Sequence, residues 1–303
     1  MTGIAFRYDH APACSPVGHL IRKAGLEPID RDRPIARQCR TRMRAALKRW
    51  FRAEAVRLAA EVVALVPDVG KAEGDRTIPV GILAGIPGLD LSRWERDLPP
   101  LLAPIFEAIF GSGGDAGLRQ LGLFDKAISR RVRERARAWA EERAAEMVGM
   151  RVVAGQLVPN PNAVWRITDA VRVALADRVR QAIDTGQSTG ALADSIEGDF
   201  AFSGNRAEMI ARTEVAAADV AGTMHGYRET GIVHGKRWLT AKDEKVSAQC
   251  AACESQGAIA FDAKFVTGRD APPNHPNCRC DILPVFADEM PAATASAILG
   301  GLI

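Results

Sequence analysis

The residues best suited to chemistry in this chain are thiols and one imidazole gathered toward its C-terminal end. Cys250 and Cys253 form a C-x2-C pair, and His275, Cys278 and Cys280 follow as H-x2-C-x-C. Four of the six cysteines and one of the five histidines therefore fall in one short segment. Thiolate and imidazole bind a borderline-soft cation such as zinc, and two short hooks joined by a longer loop is how small sites fix an irregular stretch. Zinc prefers four donors in a tetrahedron. Cys250, Cys253, His275 and Cys278 are the expected set, with Cys280 as the alternative ligand. If the chain after Cys278 is extended, Cys278 and Cys280 share a face, so separation rather than direction limits their joint ligation. A site filled by four protein donors has no position for an activated water, so the expected zinc is structural. Two other readings stay open. Cys278 and Cys280 can be small buried hydrophobes with His275 bonded to a backbone carbonyl, or the thiols can form disulfides in an oxidising setting.

A second polar constellation, Arg212, Thr213 and Glu214, lies within a helical pattern. Polar residues in such a place are expected to be structural, and the four-residue spacing of Glu208 and Arg212 suits an ion pair. No catalytic residue is assigned.

The elements that must position these groups are mainly helices. Of 303 residues 47% are hydrophobic and only 6% aromatic, while alanine and arginine recur throughout, a composition that favours helix over sheet. The expected fold is mostly α with a small α+β C-terminal domain, built from long N-terminal helices and a few short strands near the C-terminus. Residues 1–34, with four prolines, read as an extended arm. Cys39, Met43, Ala46, Trp50 and Val63 recur at helical spacing and predict a long helix ending before Pro67. An apolar loop rich in glycine and proline follows to residue 90. A helix is expected over 92–110, bent or restarted near Pro99, Pro100 and Pro104, then a break at the GSGGDAG stretch and another helix from Leu118 to Val148. Val158 to Trp165 has the composition of a linker. Beyond it Thr168 is the expected cap of a helix that ends at Gly186, and Ser188 or Thr189 starts a short one. A longer helix opens at Gly204 and Asn205 and closes at a left-handed Gly231. Strands are expected in VHGKRWLT, with Val233 and Trp238 as its inward, core residues, in AIAF and in CDILPV, with a helical turn carrying the first thiol pair. The division expected is 1–34 arm, 35–160 helical arginine-rich region, 161–288 mixed α+β domain and 289–303 tail.

A net charge of +3 hides a local excess: Arg31 to Arg57 holds ten Lys or Arg against Asp32 and Glu54. Arg37, Arg40, Arg44, Lys48 and Arg52 on the first long helix, and Arg130, Arg133 and Arg137 on a later one, are candidates for contact with DNA or an acidic protein surface. A solvated helix face is the alternative. No run approaches the ~18 apolar residues of a membrane span, and the N-terminus has no signal-peptide pattern, so the expectation is a soluble protein made in the cytoplasm with reduced cysteines.

The order IDTGQSTGALADSI, RAEMIARTEV, a helix ending at Gly231, KRWLTAKDEKVSAQCAACESQG and PPNHPNCRCDILPV resembles the phage Mu protein F-like family of minor head (head morphogenesis) proteins of tailed bacteriophages. IARTE, Ile210 to Glu214, and PPNHPNCRC, Pro272 to Cys280, are the most specific pieces. The similarity covers Trp165 to Phe286, under half the chain. It implies a non-enzymatic, low-copy structural protein of the virion, made in the host cytoplasm, that associates with the portal protein and the prohead interior. It also implies a part in head assembly and in DNA packaging or ejection, with phage DNA as a further partner and no small-molecule substrate. The alternative is a zinc-stabilised DNA-binding or HNH-like nuclease module, which needs a free histidine base; with His275 given to zinc, His225 and His234 are the ones nearby.

Overall fold

Pro34 opens the first helix, α1 (Pro34–Ala64), at a position where its missing N–H costs no hydrogen bond. The computed structural model describes residues 26–67, 78–164 and 166–290. The expected arm up to residue 25, part of the apolar loop, Trp165 of the expected linker and the tail from residue 291 lie outside the described residues. Along α1 the apolar stripe Cys39, Met43, Leu47, Phe51, Leu58 and Val62 is buried, and the arginines take the remaining faces. Glu54 sits within that stripe and is itself fully buried. Its Oε2 accepts from Trp94 Nε1 at 2.7 Å and from Arg57 Nη2 and Nε at 2.7 and 3.0 Å, and Arg93 Nη1 lies 3.2 Å from Oε1.

After a 3-10 segment at Val80–Gly88, α2 (Ser92–Gln120) runs without interruption through Pro99, Pro100, Pro104 and the whole GSGGDAG stretch. The break expected there does not occur, and the reason is packing against α6 (Gly204–Thr230). A Cβ on Gly113 would stand 2.2 Å from Asp219 O, one on Gly222 1.9 Å from Phe110 O, and one on Gly226 2.7 Å from Gly114 O. Glycine costs ~1 kcal/mol in a helix interior, but here only glycine lets two helix backbones touch. The single helix expected over Leu118–Val148 is likewise two: α2 ends at Gln120, Gly122 takes φ +67, and α3 (Lys126–Glu146) restarts after Asp125. The Asp125 carboxylate caps the new start, accepting from Ala127 N and Ile128 N at 2.8 and 3.1 Å.

Strands β1 (Met150–Val153) and β2 (Gln156–Pro159) form an antiparallel hairpin that fills the gap after the expected helix and takes in the first two residues of the expected linker, within the region 35–160 expected to be helical. Its two-residue turn, Ala154 and Gly155, has positive φ at both positions, as a tight hairpin requires. Helix α4 (Ile167–Asp184) is preceded by Arg166 at the cap position; the expected cap Thr168 lies inside the first turn and is buried. Gly186 takes φ +64, Ser188 caps α5 (Thr189–Glu197) by accepting from Ala191 N, and Gly231 closes α6 with φ +69, all three as expected.

The chain divides into two units. One comprises Asp32–Ile109 and Glu134–Ala218 and is helical, with Met43, Phe51, Trp94, Phe106, Val171, Leu192 and Ala211 in its core. The other takes, among the described residues, 26–31, Phe110–Arg133 and 219–290, and contains the antiparallel sheet β4 (Ala258–Ala260), β3 (Gly235–Leu239), β5 (Asp281–Val285) in that spatial order. Trp238 pairs with Ile282 and Lys236 with Ile259. The sheet's core joins Trp238, Phe265, Ile282, Phe286 and Tyr227 to Cys250, Cys253, Cys278 and Cys280. The fold is mostly α with short strands concentrated toward the C-terminus. Among the described residues no helix is long and apolar enough to cross a membrane.

Candidate metal centre

Each cysteine hook is held by chemistry legible in its own sequence. Ser247 caps α7 (Ala248–Ser255), and its side chain accepts from the Cys250 amide at 3.2 Å, so the serine fixes the turn that carries the first thiol. Further along α7, Glu254 accepts from Thr240 N and Thr240 Oγ1 at 3.1 and 2.8 Å and pairs with Lys242 at 2.7 Å, which fastens the helix to the end of β3. In the second hook, Cys278 N donates to His275 O at 3.1 Å across Pro276 and Asn277. Proline suits the second position of such a turn, and asparagine tolerates the φ of +58 found at the third. A two-pronged Arg279–Asp243 pair secures the outside of this hook. We expect Ser247→Ala to lower stability by ~1 kcal/mol through loss of the cap, read as a shift in the denaturant midpoint with unchanged slope.

The sulfurs of Cys250, Cys278 and Cys280 lie within 4.8 Å of one another, all three side chains being buried. Cys250 Sγ and Cys278 Sγ are 3.7 Å apart, and both are free thiols. Cys253, also buried, has its sulfur 3.2 Å from Thr267 Oγ1, and His275 has Nδ1 2.9 Å from Pro276 O. The structure thus brings together three of the five residues singled out in sequence and places neither Cys253 nor His275 in that group. The hydrogen bond from Cys280, opposed by burial, brings the Cys278 thiol down to about 5. The same bond, with burial, pushes Cys280 up, and burial raises Cys250. The trio holds one negative charge more readily than an isolated buried thiol would. The Trp238 indole N–H, 1% exposed, has no hydrogen bond of good geometry; Trp238 pairs with Ile282, two residues beyond Cys280, and its electrostatic effect favours the thiolate at Cys280. Sequence reasoning treated Trp238 as a core residue only; its place in the strand that runs into the first hook was the available signal. Three soft donors in one buried pocket can hold a thiophilic cation.

The IARTE segment carries a different load. Glu214 is clamped by Arg143 through Nε and Nη2, both at 2.8 Å, and Arg143 also holds Glu146 at 2.6 Å. Glu208 pairs with Arg44 at 3.1 Å rather than with Arg212. These bonds tie α6 to α3 and α1 inside the helical unit. Of the basic candidates, Arg37 and Arg40 engage Asp32, Arg44 engages Glu208, Arg133 engages Asp115 and Arg137 engages Glu141. Lys48, Arg52 and Arg130 are exposed.

Compared with known proteins, residues 174–283 match the family model described as Phage Mu protein F like protein. That segment takes in IARTE and both cysteine hooks. No curated protein and no solved structure matches the chain.

Proposed function

We propose that this chain, whose residues 174–283 are of the phage Mu protein F-like family, is a non-enzymatic minor head protein that joins the portal and the prohead interior. The family match makes a phage head morphogenesis protein the coarse assignment, and it is the observation that carries the reading. The polar residues in and beside IARTE support a structural role, because Glu214 is committed to the Arg143 clamp, the Thr213 hydroxyl donates to Met209 O, and Glu208 just upstream pairs with Arg44. Zinc in the thiol pocket, as a staple of the sheet unit, and a part in DNA packaging or ejection complete the proposal.

Co-expression with the portal protein of the same phage is the direct test. Recovery of the full chain on portal rings or in proheads supports the reading, and its absence from both refutes it. DNA contact is tested separately. With Lys48 and Arg52 exposed one turn apart on α1, duplex binding is expected to weaken steeply with salt. Replacing both by alanine is expected to reduce the slope of log K against log salt by about 2, roughly one unit for each phosphate no longer neutralised. An unchanged slope would remove these two side chains from any DNA surface.

A further inference from the structure

We infer that the cation is held by three thiolates, Cys250, Cys278 and Cys280, with Cys253 outside its coordination sphere and the Trp238 indole N–H donated to a bound sulfur. This deepens the zinc part of the proposed function and does not depend on the chain's place in the head.

The distances favour this set over the one expected from sequence. Zinc–sulfur bonds of about 2.3 Å in a tetrahedron put neighbouring sulfurs about 3.8 Å apart. Cys250 Sγ and Cys278 Sγ already stand at 3.7 Å, and Cys280 Sγ completes a group within 4.8 Å. Cys253 lies on the same short helix, one turn beyond Cys250, yet its sulfur is engaged by Thr267 Oγ1 at 3.2 Å. Each of the three chosen thiols comes from a braced position. Cys250 follows the Ser247 cap, Cys278 ends the Pro276–Asn277 turn, and Cys280 directly precedes β5.

The indole supplies a second observation. A buried donor left unpaired is costly, and Trp238 Nε1 is buried and unpaired, on a residue that pairs with Ile282 of β5 and shares one core cluster with Cys250, Cys278 and Cys280. A metal-bound thiolate keeps negative charge on sulfur and is a better acceptor than a neutral thiol, so cation binding would satisfy this N–H. Such outer donors orient ligands and tune their affinity. The binding step balances simply. One zinc dication displaces whatever protons the three thiols still hold and leaves a centre of net charge −1, with no change of oxidation state. The fourth tetrahedral position is left to a non-sulfur donor.

The test uses the full chain purified under reducing conditions without chelator. Elemental analysis is expected to give one zinc per chain. Cobalt substitution then counts thiolates from the intensity of the sulfur-to-cobalt charge-transfer band, which is expected at three quarters of a four-thiolate reference. That count needs no variant, so it stands even where a cysteine substitution prevents folding. Cys253→Ala is expected to keep full metal stoichiometry, whereas Cys250→Ala, Cys278→Ala and Cys280→Ala each abolish it. Trp238→Phe is expected to keep one metal per chain with at least tenfold weaker affinity in chelator competition. A four-thiolate band, or loss of metal in Cys253→Ala, overturns the ligand set while leaving zinc in place. Unchanged affinity in Trp238→Phe overturns the indole's role. Protein without zinc, or with an intact mass showing a Cys250–Cys278 disulfide, refutes the zinc reading as a whole.

Discussion

Glu54→Ala is expected to destabilise the helical unit by ~3–5 kcal/mol, the range for removing one partner of a buried charged cluster. The carboxylate receives the Trp94 indole N–H and two Arg57 nitrogens, and Arg93 approaches its other oxygen. Deleting it leaves the Trp94 donor buried and unpaired and opens a hole beside Phe51, which stacks on the Trp94 ring with centroids 5.9 Å apart. Glu54→Gln keeps the shape and one acceptor oxygen, so it should lose less than the alanine variant. Urea unfolding followed by tryptophan fluorescence reads both. A loss of less than ~1 kcal/mol in Glu54→Ala would mean that the cluster is no more than a surface ion pair in energy.

Gly222→Ala is expected to cost ~3 kcal/mol or more, at or beyond the upper end for forcing extra volume into a packed site. The sign makes this test discriminating. In an unconstrained helix the same change gains ~1 kcal/mol from propensity. Here the added carbon would meet Phe110 O at 1.9 Å and Phe110 C at 2.7 Å, both backbone atoms that no rotamer change can move. Gly81→Ala, where no atom lies within 4 Å of the added carbon, is the control and is expected to stay within ~0.5 kcal/mol of the parent. A thermally stabilised Gly222→Ala would show that α2 and α6 do not pack at the distance described.

Gly222 also shows why part of the fold could not be read from the sequence. GSGGDAG is a loop by composition, and only the facing Gly222 and Gly226, more than a hundred residues later, turn those glycines into a contact surface. The hairpin at 150–159 was hidden for a similar reason. Its turn begins with Ala154 at φ +51, a position where asparagine, aspartate or glycine would have announced it. Local signals fared better. Ser188, Gly186 and Gly231 mark element ends through their own backbone and side-chain chemistry, and each stands where expected. At the thiol pocket the residue types and the two hooks were legible, and so was the shared face of Cys278 and Cys280. Which sulfurs meet was not, because that depends on Thr267 engaging Cys253 and on the second hook's turn bringing Cys278 against Cys250 from 28 residues away. Glu54 was counted in the charge balance of α1 and not as an anchor. Its place on the stripe between Phe51 and Leu58 was the signal that it would be buried.

The central claim, that the chain is a minor component of a phage head, is tested most directly by quantitative mass spectrometry of purified particles. Virions and proheads of the phage that encodes it are expected to contain the chain at a small, constant ratio to the major capsid protein, comparable with that of the portal. Its absence from both kinds of particle, in lysates where the chain is abundantly expressed, would contradict the account.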